Sequence, residues 1–119
     1  MPKCKNILVI EDDKSVRDML KAVLEIEGYN VQTAENGYQG IESIVRKSPP
    51  DAILLDMMMP IMNGWEFMDF LKTNASQFKI PVIIISAFSE TAKTVKPEAI
   101  VSKPIQLKEL LSAIEKLAS

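Results

Sequence analysis

The sequence predicts an α/β fold: a doubly wound five-stranded parallel sheet in the order 2-1-3-4-5, a (βα)5 chain with a shortened fourth helix. Three observations predict it. Short apolar runs alternate with longer helical segments five times along the chain, the pattern of a parallel sheet covered by crossover helices on both faces. The runs at 7–10 and 52–55 are apolar throughout and both end in carboxylates. Strands buried on both faces read this way, so these two belong side by side at the centre. The run at 29–34 alternates polar and apolar residues and the run at 99–101 is short, which suits the two edges of the sheet.

Each element has its own justification. Asn6–Ile10 (NILVI) is the first strand and runs into Glu11, Asp12 and Asp13. A helix follows, with Val16, Met19, Leu20, Val23 and Leu24 on one stripe. Asp13 or Ser15 is its N-cap, and Gly28 follows its end because glycine takes the left-handed conformation cheaply. After the half-polar second strand, Asn36-Gly37 signals a turn and 38–47 forms a second helix with Ile41, Ile44 and Val45 inward. Gly40 in that helix costs roughly 1 kcal/mol against alanine unless it permits close packing. Ser48-Pro49-Pro50 stops the helix.

The third strand opens the stretch ILLDMMMPIMNG at 53–64, in which Asp56 follows the apolar run and Asn63-Gly64 resets the chain for a helix. That helix, 64–73, is apolar over a wide arc with Trp65, Phe67, Met68, Phe70 and Leu71. The fourth strand, 80–85, ends at Ser86-Ala87. Residues 87–98 contain Pro97 and few apolar side chains, room for two helical turns at most or for an irregular loop. The fifth strand, 99–101, leads into Ser102-Lys103-Pro104. The last helix, 106–118, carries Leu107, Leu110, Leu111, Ile114 and Leu117 on one face, with Lys108, Glu109, Glu115 and Lys116 on the other.

At 119 residues the chain makes one domain, 1–119, with room for a real core. The net charge of -2 gives no basic footprint, which argues against direct nucleic-acid binding. The lone Cys4 cannot form an internal disulfide, so a reducing, cytoplasmic location is expected. No apolar run approaches the ~20 residues of a membrane span, and 7–10 is too short for a signal-peptide core, so no membrane insertion is expected. The chain has no histidine, which excludes a histidine triad, a histidine metal site and a phosphohistidine on this chain.

Parallel strands all end on one edge of their sheet. The three acids after the first strand, Asp56 after the third, Ser86 after the fourth and Lys103 after the fifth therefore converge. Taken singly, each has an ordinary job: an acid after a strand caps a helix, a serine makes a turn, a lysine is solvated. Jointly, four of five strands deliver complementary polar groups to one mouth, where open α/β sheets bind ligands. Clustered carboxylates repel unless a cation neutralises them. Oxygen-only ligands without histidine or thiolate suit Mg²⁺. A carboxylate nucleophile beside Mg²⁺, with an ammonium and a hydroxyl nearby, is an arrangement that accepts a phosphoryl group.

With ILVIEDD followed by Arg17, then LLDMMMPIMNG, Ser86-Ala87 and Lys103-Pro104, the chain resembles over its full length the receiver domain of two-component response regulators, of the stand-alone, chemotaxis-regulator kind. The resemblance implies a flavodoxin-like fold and a set of roles. Asp56 would be the phosphoacceptor. Asp12 and Asp56 would bind Mg²⁺ directly with the backbone carbonyl of Met58, and Glu11 would act largely through water. The spacing to Arg17 sets this register and leaves Asp13 as a cap. Lys103 would pair with the phosphoryl group, Ser86 would hydrogen-bond it, and Lys103-Pro104 would be a cis peptide. The partners would be a histidine kinase or histidine phosphotransfer protein and an unnamed downstream protein. No enzyme activity is implied beyond the domain's own phosphotransfer and autodephosphorylation.

Two departures bear on output. Ser86 and Lys103 are closer in sequence than the family usually has them, and Ile100 stands where receivers with a rotating switch carry an aromatic. Met58 and Phe88, which flank the phosphoryl group in the family, are apolar, from which slow self-dephosphorylation is expected. A haloacid-dehalogenase-type phosphatase would need a second Asp at position 58, and no phosphate-cradling glycine motif supports a nucleotide site. A pseudo-receiver acting only as a protein-interaction module is the remaining alternative. The initial Met and the absence of an output domain after the last helix suggest a stand-alone receiver that acts by protein contact.

Overall fold

Each apolar run becomes a strand, and the helical segments within its bounds become helices, in the computed structural model, which describes residues 6–74, 77–87 and 97–117. The elements are β1 (Asn6–Ile10), α1 (Lys14–Ile26), β2 (Asn30–Ala34), α2 (Gly37–Arg46), β3 (Ala52–Asp56), α3 (Gly64–Thr73), β4 (Val82–Ser86), β5 (Ala99–Ser102) and α4 (Leu107–Leu117). The strands form one parallel sheet in the order β2-β1-β3-β4-β5. Every residue of β3 and β4 is buried, while β2 is largely exposed. The expected short fourth helix falls within 88–96, outside the described residues.

Alternate residues of the same strands feed two cores. Leu8, Ile10, Ile53, Leu55 and Ile84 face α2 and α3 and pack with Ile44, Phe67, Met68 and Leu71. Ile7, Val9, Leu54, Ile83 and Ile85 face α1 and α4 and pack with Leu20, Leu24, Leu110 and Ile114. Each such aliphatic side chain contributes about 1.5–3 kcal/mol when fully buried.

Local chemistry sets the helix ends. Asp13 caps α1 by accepting from the N–H groups of Ser15 and Val16, and Asn36 caps α2 by accepting from Gln39 N–H. Asn63 and Glu66 form a reciprocal capping box on α3. Gly28, just past α1, has φ 98°. Gly40 stays in a helix because α2 lies hard against the sheet: a Cβ there would sit 2.5 Å from Ile10 Cδ1 and 3.1 Å from Phe67 Cε1.

Some expectations need correction. Val45 is 61% exposed, not inward. The buried stripe of α2 is Gly37, Gly40 and Ile44, with Ile41 beside it, and residue 45 is rotated off it by one helical step. Leu107 is also exposed, as the first residue of α4. β4 starts at Val82 rather than 80 and continues through Ser86, while β5 extends through Ser102.

Candidate functional site

Strand register brings the predicted residues together. Ile10 pairs with Leu55 and Asp56 with Ile85, so Glu11, one residue past Ile10, is level with Asp56. Ser86 and Ser102 pair one step further on, and Lys103 follows, its N–H donating to Ser86 O at 2.9 Å. The Lys103-Pro104 peptide is cis.

Glu11, Asp12 and Asp56 each offer a carboxylate oxygen within 4.8 Å of the others. Glu11 and Asp56 are buried and Asp12 is exposed. Lys103 Nζ lies 3.3 Å from Glu11 Oε1 and 3.3 Å from Asp56 Oδ1. Ser86 is buried at the end of β4. Asp13 stands apart from the cluster as the cap of α1. The β3–α3 loop is closed by Gly64 N–H on Met57 O at 2.9 Å and by Met62 N–H on Pro60 O at 2.7 Å. Met57 is buried beneath this loop, whereas the Met58 side chain is exposed. Ile61 holds φ 68° in the same loop. Ile100 is half-buried against the core on the α2–α3 side. Phe88 lies outside the described residues.

The electrostatics describe a site short of positive charge. Burial pushes Glu11 up to about 7, with the Asp13 N–H bond and Lys103 opposing and Asp56 adding to the rise. Burial also raises Asp56, against the pull of Lys103. Burial alone would lower the Lys103 ammonium, but the carboxylates of Asp56 and Glu11 outweigh it and hold Lys103 above its ordinary value. One ammonium serves two buried acids. A small, hard divalent cation fits this all-oxygen set, since it relieves the repulsion among the carboxylates.

Sequence reasoning used Arg17 only as a spacing marker. The side chain is buried, and its Nη1 donates to the carbonyls of Glu11 at 2.8 Å and Asp12 at 3.3 Å. A signal was available: Arg17 shares the inward stripe of α1 with Leu20 and Leu24, and a charge on such a stripe needs partners.

Comparison with known proteins agrees with this architecture. A family profile described as the response regulator receiver domain matches residues 7–115. The chain is similar to Response regulator MprA of Mycobacterium leprae, 32% identical in an alignment that covers 93% of this chain and 50% of that protein. It spans about half the length of the curated relatives it matches. Among solved structures it is similar to the Francisella response regulator 1452 receiver domain, with 26% identity, TM-score 0.86 and 96% of each chain covered. It is also similar to response regulator protein TrrA from Thermotoga maritima in complex with Mg²⁺–BeF, with 28% identity, TM-score 0.82 and coverage of 95% of this chain and 98% of that one.

Proposed function

The chain belongs to the response regulator receiver domain family of two-component systems, and we propose that it is a phosphorylatable receiver, one domain over 1–119, that signals by protein contact in the cytoplasm. Asp56 accepts a phosphoryl group from a phosphohistidine on a histidine kinase or phosphotransfer protein. The observation that carries this reading is the meeting of Asp56, Glu11 and Lys103 at one point, with Lys103 Nζ 3.3 Å from both carboxylates at the carboxyl edge of the sheet. Among the described residues no helix is long and apolar enough to cross a membrane.

Asp12 and Asp56, with the Met58 carbonyl, are the residues that would hold Mg²⁺, and Glu11 would act through water. When bound, the ion supplies positive charge to the phosphoryl oxygens. The ionised Asp56 oxygen bonds to phosphorus as the P–N bond to the donor breaks and its electron pair returns to the imidazole. Lys103 then exchanges a carboxylate oxygen for a phosphoryl oxygen, and the Ser86 hydroxyl donates a further hydrogen bond. Exposed and apolar, Met58 cannot orient a hydrolytic water, so the acyl phosphate is long-lived.

Mass measurement after incubation with acetyl phosphate and Mg²⁺ tests this. Wild type should gain one phosphoryl group and Asp56→Asn none. No gain in wild type, together with no response to beryllofluoride, would replace this reading with a pseudo-receiver that only binds partners.

A further inference from the structure

Arg17 is a buried cation whose carboxylate partner is outside. Its side chain is 10% exposed, and Nη2 lies 3.6 Å from Glu35 Oε1, on a side chain that is 60% exposed. An ion pair with so exposed a partner contributes little, less than it costs to take a guanidinium out of water. The exposed pair therefore does not account for the burial. The charge-assisted bonds from Nη1 to the carbonyls of Glu11 and Asp12 do. These carbonyls belong to the peptide units from which two of the three clustered carboxylates project. The neighbouring turn is tied in as well, through Glu35 and through Glu11 N–H on Ala34 O at 3.0 Å.

We propose that Arg17 is the positioning residue for the acidic pair. Its Nη1 bonds the carbonyls of both Glu11 and Asp12 while Nη2 faces Glu35, so the backbone that carries both acidic side chains is fixed before any cation arrives. The inference rests on the reading of this cluster as the Mg²⁺ site. A lysine keeps the charge but has no rigid guanidinium plane to hold one nitrogen on the two carbonyls and the other toward Glu35, so charge and geometry can be separated.

The test is the Mg²⁺ dissociation constant of the full chain, by calorimetry, for wild type, Arg17→Lys, Arg17→Gln and Glu35→Gln, with urea denaturation of each metal-free protein. Outer partners of metal ligands are typically worth about 10–100-fold in affinity. Both Arg17 variants should lose that much, with the lysine no real rescue, while Glu35→Gln stays within about twofold. Folded Arg17 variants that bind Mg²⁺ like wild type overturn the inference, and so does full rescue by lysine. If the variants do not fold, the Nε–Hε resonance of Arg17 in wild type decides. It should shift with the same constant as Mg²⁺ binds, and an unmoved resonance overturns the inference. A wild type that binds no Mg²⁺ removes the reading of the site and this inference with it. Wild-type binding with unaffected variants removes the inference alone.

Discussion

The acid side and the cation side of the site are built differently. Glu11 is 2% exposed and is held at four points: its N–H by Ala34 O, its carbonyl by Arg17, Oε2 by the Asp13 N–H at 3.2 Å, and Oε1 by Lys103. The Lys103 side chain is 29% exposed, and its ammonium contacts Glu11 and Asp56 at 3.3 Å, longer than the 2.7–2.9 Å of a tight charge-assisted bond. Glu11 is tied through its own N–H and carbonyl and through the Asp13 N–H, whereas the Lys103 ammonium is held by two carboxylates.

The largest expected effect is at Asp56, the proposed acceptor. Asp56→Asn should abolish phosphoryl gain from acetyl phosphate, read by mass. Undiminished gain would place the acceptor elsewhere and dissolve the comparison. Next, Lys103→Ala should slow phosphorylation about a hundredfold, the scale of losing one preorganised donor to a charged transition state. Its Mg²⁺ affinity should hold or rise, because the ammonium competes for Glu11 and Asp56. A loss of affinity as deep as that of Arg17→Gln would make the two sides equivalent.

Bracing on the acid side can be attacked through Gly64. A Cβ there would meet Met57 Sδ, would lie 2.7 Å from Met57 Cα and 3.1 Å from Asp56 O. Gly64→Ala should cost about 2 kcal/mol in urea denaturation; an unchanged midpoint would show that the loop yields freely.

The pH dependence sharpens the same contrast. Folding raises Glu11 from its ordinary value of 4.5 to about 7, so the folded state binds this proton more tightly than the unfolded chain. Its stabilising effect is complete below about 4.5 and is lost as pH rises through about 7. Asp56 shifts in the same direction. Asp13 and Asp18, which shift down, act at lower pH. Metal-free protein should therefore lose on the order of 2 kcal/mol of stability between pH 4.5 and 7. Saturating Mg²⁺ should remove that loss. A flat metal-free profile would mean that Glu11 carries no burial penalty. The smallest effect is kinetic: Met58→Asn should speed loss of the phosphoryl group several-fold, followed by mass over time, and an unchanged rate would relegate Met58 to a bystander.

Much of this was legible in the sequence because it is local. All-apolar runs ending in acids identified the central strands, polar alternation identified the β2 edge, and Asp13 and Asn63 announced helix starts, while Asn36, read as a turn signal, is the cap of α2. The strand-end acids, Ser86 and Lys103 were legible because parallel topology sends every strand end to one edge. Less legible was whatever depends on close approach between distant segments. Val45 looked inward because glycines carry no apolar signal, although the buried stripe of α2 contains Gly40 against Ile10 of the sheet and Gly37 against Met62 of the β3–α3 loop. The sharing of Lys103 between partners 92 and 47 residues away and the grip of Arg17 on two carbonyls required coordinates.

The alternation of β3 between two cores has a consequence for cooperativity. Sliding β3 by one residue, about 3.3 Å, would turn Ile53 and Leu55 toward the α1 side and Leu54 toward the α2 side, exchanging both cores at once. The same slide would carry Asp56 off the level of Glu11. No partial slippage spares one and spoils the other. The height of a single carboxylate above the sheet is thereby tied to global unfolding, and on heating, the reactivity of Asp56 should vanish together with the amide protection of β3, in one transition.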